Sequence, residues 1–177
     1  MIMTRYRVLW STVVGLLLFN TINTRAATPE EMRRLDEAYP SGSSVVCRAQ
    51  LEGDGKNLLS MEMVLRGKVI SKQGNHSSHD ISVAWIPHKT KSSTLTVSYH
   101  VDTTDEGNSR RMIIDPASLK VSMPGNRASE EAVADGFRKR FASGAIHQRY
   151  GDIEITDFPS YILRNQGEEP LYCSKEY

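Results

Sequence analysis

TLTVSYHV (94–101) decides the class of fold. Leu95, Val97, Tyr99 and Val101 alternate with Thr96, Ser98 and His100, the period-two pattern of a strand with one buried and one wet face. Similar segments lie on either side. VVCRAQL (45–51), LLSMEMVL (58–65), KVIS (68–71) and DISVAWI (80–86) precede it, and MIID (112–115) and LKVSM (119–123) follow. Short turns carrying Gly53, Asp54, Gly55, Gly67, Pro87 and Pro116 separate them. Strands joined this closely favour an antiparallel meander over a parallel sheet. The tail offers DIEIT (152–156), YILR (161–164) and LYCS (171–174) as further short strands.

Two helices frame this run. TPEEMRRLDEAY (28–39) starts with Thr28 as N-cap, Pro29 at the first helical position and Glu31 three residues after the cap, which makes a capping box. Met32, Leu35 and Tyr39 form its apolar stripe. SEEAVADGFRKRFASG (129–144) reads as the main helix, capped by Ser129 and ended by Gly144. Glu130 and Glu131 suit the positive end of its dipole, and Arg138, Lys139 and Arg140 the negative end. Val133, Phe137 and Phe141 recur every four residues and predict the face laid on the sheet. The expected fold is α+β: six to eight antiparallel strands packed against one main helix, with a short N-terminal helix.

The first residues read as an export signal. Arg5 and Arg7 precede the apolar run VLWSTVVGLLLF (8–19), which is short for a membrane span, and Ala26 offers a small residue for cleavage before Ala27. This division gives a signal peptide at 1–26 and one exported domain at 27–177, long enough for an ordinary core. The full chain has 22 Lys+Arg against 21 Asp+Glu. Arg5, Arg7 and Arg25 leave with the signal, so the remainder is slightly acidic, which argues against a nucleic-acid partner. No second apolar run approaches membrane-spanning length. The two cysteines, Cys47 and Cys173, are expected to pair as a structural disulfide in an oxidising compartment, periplasmic or secreted.

Chemistry-bearing patterns are weak. NHSSHD (75–80) gathers His76, His79 and Asp80 in an expected loop, with His88 and His100 on neighbouring segments. Such side chains ligate zinc or copper, but the spacing matches no helical H-E-x-x-H and a solvated turn explains the loop equally. Asn75-His76-Ser77 has the form of a glycosylation sequon. There is no G-x-S-x-G, and His147 near Asp152 does not make a triad. Glu52 with Asp54, Asp102 with Asp105 and Glu106, and Glu168 with Glu169 fall in hydrophilic turns where acids are ordinarily solvated. No glycine-rich phosphate cradle occurs. Arg138, Lys139, Arg140 and Arg149 make one basic patch suited to an acidic partner surface, and equally to helix termination.

In general character the chain resembles accessory binding proteins of a bacterial envelope, and no motif names an enzyme or a cofactor. The leading expectation is a soluble exported protein that binds another protein, as an inhibitor, immunity factor or assembly subunit, through the loops at 72–79, 102–111 and 124–128. One alternative is a metal-binding protein or hydrolase centred on the histidine loop at 76–80. Another is a small-ligand or lipid carrier with a cavity between sheet and helix, where Trp85, Phe137 and Phe141 serve either as lining or as core.

Overall fold

The computed structural model describes residues 26–53, 60–89, 94–125, 127–164 and 169–177. Residues 1–25, on which the export reading rests, lie outside them, as do Asp54 and Glu168. The elements are α1 (Pro29–Ala38), β1 (Ser44–Leu51), β2 (Met61–Gln73), β3 (His76–Pro87), β4 (Leu95–Asp105), β5 (Ser109–Ile114), β6 (Lys120–Ser122), α2 (Arg127–Phe141), β7 (Ile146–Arg149), β8 (Ile153–Ile155), β9 (Tyr161–Leu163) and β10 (Leu171–Glu176). No helix among the described residues is long and apolar enough to cross a membrane.

All ten strands belong to one sheet, ordered β7-β5-β4-β3-β2-β1-β10-β9-β8, with β6 paired to β4. Every pairing is antiparallel. The sequence predicts fewer strands in a plain meander. The meander holds from β1 to β5, but the tail turns back and adds β10, β9 and β8 on the free side of β1. The two ends of the order, β7 and β8, are joined in the chain by a single 3-10 turn, Tyr150–Asp152. The sheet therefore curls until its edges meet through the chain itself, and it is barrel-like rather than open.

β2 carries the features that bend it. Its register shifts between Val69 and Ser71, and such a bulge raises local twist and kinks a strand. Gly67 has no side chain to separate its neighbours: a Cβ there would stand 3.1 Å from both Val45 and Ile81. The two branched side chains thus meet across β2 and tighten the inner face. One inward row runs through Ile155, Tyr161, Cys173, Cys47, Leu65, Val83, Val97 and Val121, each opposite the next across successive strands. Cys47 and Cys173 are direct cross-strand partners and are disulfide-bonded.

Both helices pack on this inner face, at different places. The Thr28–Glu31 capping box of α1 is formed as expected, and such caps contribute about 0.5–2 kcal/mol. Met32, Leu35 and Tyr39 are buried against Val69, Tyr150 and Ile153. The C-terminal carbonyls of α1 receive two lysines from the sheet: Lys175 Nζ donates to Ala38 at 2.8 Å and Lys72 Nζ to Asp36.

α2 begins at Arg127, two residues before the expected Ser129 cap, and ends at Phe141. The Glu130 carboxylate accepts the Met123 amide at 2.7 Å, so the incoming chain is docked on its first turn. Ala134, rather than Val133, is its buried residue and packs with Val97 and Leu119. A strict four-residue spacing drifts off a helix face, whereas 134, 137 and 141 follow the 3.6-residue period. Phe137 lies 6.3 Å from Trp85 and Phe141 5.2 Å from Tyr99, centroid to centroid. These aromatics are packed together as core.

The expected loops at 72–79 and 102–111 are mostly strand. β2 and β3 meet at a tight turn in which Gly74 takes φ +60°, the left-handed conformation that a short hairpin requires.

Candidate functional site

Between α1 and the inner face of the sheet lies a cavity of about 200 Å³. Its walls are largely apolar, with Leu65, Val101, Met112, Leu163 and Leu171 turned inward from five strands. One end is polar, and each polar residue arrives there for a local reason. Asp36 falls on the stripe that buries Met32, Leu35 and Tyr39. Arg110 shares the inward phase of β5 with Met112 and Ile114. Lys72 follows the β2 bulge, which shifts the phase so that it lines the cavity.

These groups form one network. Arg110 donates to Asp36 at 2.6 Å and to Asp105 at 2.8 Å, while Lys72 Nζ lies 3.9 Å from the Asp36 carboxylate. The Tyr150 hydroxyl donates to Asp105 at 2.9 Å. Burial opposes the Arg110 charge, but Asp36 and Asp105 outweigh it and raise its pKa. Burial also raises the Tyr150 pKa to about 12, reinforced by Asp105. Lys72 is lowered by burial, partly offset by Asp36.

His79 closes the polar end from β3. Its Nε2 lies 2.9 Å from Ser77 Oγ and 3.4 Å from Thr103 Oγ1, and those two hydroxyls are 2.6 Å apart. Burial pushes its pKa down to about 4, with Arg110, Lys72 and His100 adding to the effect. At neutral pH it is an uncharged ring. Tyr161 stands edge-on to Tyr39, 6.5 Å between centroids. Its hydroxyl makes no hydrogen bond among the described residues, and burial raises its pKa.

The cavity has a neighbour at the surface. A groove of about 660 Å³ is lined by Pro29, Arg33, Asp105 and Tyr150, and it shares Asp36 and Lys72 with the cavity. Asp36, near the C-terminal end of α1, and Lys72 thus line both the surface groove and the inner cavity.

The histidines named by the sequence are not brought together. Residues 76–80 are strand, so alternation sends His79 inward and leaves His76 and Asp80 exposed. His76 Nδ1 lies 3.0 Å from Thr104 Oγ1, and His88 Nε2 3.1 Å from Gln50 Oε1. His100 Nδ1 lies 2.9 Å from Asp80, and that hydrogen bond raises its pKa, helped by Asp102. Asp80 and His100 line an open outer groove of about 530 Å³ with Arg66, Lys68, Lys120 and Glu176. Among the described residues no group of three or more His, Cys, Asp or Glu side chains is placed to hold a metal ion. His147 faces Glu106 at 3.8 Å, and Asp152 is taken by Arg149 at 3.2 Å. In the basic patch Arg138 pairs with Asp135 at 2.7 Å. Asn75 sits in the exposed hairpin turn and donates to the Asp105 carbonyl at 3.3 Å.

Asp105, expected to be a solvated turn acid, is instead a member of the half-buried network. Asp36, Lys72, Arg110, Tyr150 and Tyr161 were not singled out by the sequence. The usable signal was phase: Asp36 and Arg110 each occupy an apolar position of an otherwise regular pattern. No protein-family model, curated protein or solved structure matches the chain.

Proposed function

We propose that this is an exported binding protein for a small organic molecule, held inside the barrel beneath α1. The observation that carries the reading is the cavity itself: an apolar chamber of about 200 Å³ with a few polar groups converging at one end. Ligand sites are commonly built this way, with apolar walls for affinity and a few polar atoms for orientation. Small barrels either fill their interior with side chains or enclose one ligand. Here the aromatics expected to line a cavity, Trp85, Phe137 and Phe141, are spent on α2, and a different part of the inner face is left hollow.

The disulfide supports an oxidising compartment, and the signal-like leader points the same way. The charged inward groups of the site balance and hydrogen-bond one another, and the Ser77–His79 pair has no carboxylate hydrogen-bonded to the ring's other nitrogen among the described residues, which favours binding over catalysis. Organic extraction of the natively purified protein followed by mass spectrometry tests the reading. One dominant small species at near-stoichiometric amount is expected. Protein that carries no such species and does not melt higher in saturating toluene contradicts it.

A further inference from the structure

The polar end of the cavity specifies more than the presence of a ligand. Three tyrosines surround the inner end of α1, and two of them have committed hydroxyls: Tyr39 donates to the Pro159 carbonyl at 3.0 Å and Tyr150 to Asp105. Tyr161 lines the cavity and is only partly buried, and its hydroxyl makes no hydrogen bond to another described residue, so it stays accessible instead of being sealed into the protein. A hydroxyl that is accessible and not committed to protein is free to exchange water for a ligand's polar group. A group entering the cavity is in position to pair with it.

Charge narrows the choice. The network contains two cations, Lys72 and Arg110, and two carboxylates, Asp36 and Asp105, in mutual contact. His79 adds no charge at neutral pH. An ionised ligand would therefore bring an unmatched charge into the interior, which burial penalises heavily. Size narrows it again. A dry cavity of about 150 Å³ admits benzene, so about 200 Å³ suits a single ring with one small substituent.

Resting on the carrier reading above, we propose that the cavity takes a small uncharged ring compound of the phenol class, whose hydroxyl pairs with the hydroxyl of Tyr161 while its ring lies against Val101, Leu163 and Leu171. Tyr161 is protonated throughout the physiological range, because burial disfavours its phenolate. It can both donate to and accept from such a hydroxyl.

Calorimetric titration of the full chain with phenol, toluene and benzoate at pH 7, for the parent and for Tyr161→Phe, tests this. Phenol should bind the parent roughly tenfold more tightly than the variant, the ratio that one net hydrogen bond supplies. Toluene should bind both equally, which also reports that the variant retains a folded cavity. Benzoate, ionised at this pH, should bind neither. Phenol affinity that is unchanged by Tyr161→Phe, or benzoate that binds as tightly as phenol, overturns the inference and leaves the carrier reading standing. Failure of both toluene and phenol to bind the parent overturns the carrier reading as well.

Discussion

Arg110 on β5 donates to Asp36 on α1 across 2.6 Å, and this contact ties the helix that roofs the cavity to the sheet that forms its floor. Asp105 holds the other side of the same guanidinium. Arg110→Ala should therefore cost about 1.5–3 kcal/mol, because it leaves Asp36 with Lys72 alone and Asp105 with the Tyr150 hydroxyl alone in a partly buried site. Arg33→Ala, which removes the exposed pairs to Glu30 and Glu37 on the outer side of α1, should leave the urea midpoint nearly unchanged. Equal midpoint shifts for the two variants would show that the network is an ordinary surface feature.

His79 gives the fold a pH dependence whose sign follows from its environment. Its folded pKa is about 4, below the ordinary 6.5, so the unfolded chain binds a proton first as pH falls. Its contribution is complete above pH 6.5, is lost between 6.5 and 4, and changes no further below that. The loss is at most about 3 kcal/mol. His79→Gln, uncharged at every pH, should flatten that part of the stability profile. A variant whose stability falls between pH 6.5 and 4 as steeply as the parent's would refute this assignment.

On α2, Phe137 touches Trp85 and Phe141 but is only half-buried. Phe137→Ala should cost less than the about 3–5 kcal/mol of a fully buried phenylalanine and clearly more than Lys139→Ala on the exposed face. A midpoint shift at Lys139 as large as that at Phe137 would mean that the packed face is misassigned.

Much of this organisation is legible in the residues. Alternation in TLTVSYHV and its neighbours gives the antiparallel sheet, and the Thr28, Pro29 and Glu31 signature gives α1. The cysteine count gives the disulfide. What the pattern does not carry is pairing over long distance. Nothing local tells LYCS (171–174) to lie beside VVCRAQL (45–51) instead of extending the meander, although that choice curls the sheet and makes the interior. The site was obscured for a related reason. Lys72 turns inward only because a bulge displaces the phase of β2, and Tyr161 becomes a cavity wall only when β9 is placed beside β10. The histidine cluster misled because closeness in sequence is not closeness in space on a strand, where neighbours take opposite faces.

The Cys47–Cys173 bond joins residues 126 apart in sequence. In the loop-entropy model, closing a segment of that length is worth about 5 kcal/mol, and the gain is smaller if the reduced chain keeps residual structure. Thiol titration of the unreduced, denatured protein should find no free sulfhydryl, and reduction should lower the urea midpoint markedly. Two titratable thiols in protein purified from an oxidising compartment would contradict the pairing.

On the carrier reading, the hollow part of the interior lies beneath α1 and admits a ligand. Methyl-selective NMR of the full chain titrated with toluene reads it directly. The methyl resonances of Leu65, Val101, Leu163 and Leu171 are expected to shift and saturate together, while those of Leu95 and Val121 beside α2 stay in place. Shifts confined to the α2 cluster, or none at saturating toluene, would contradict it.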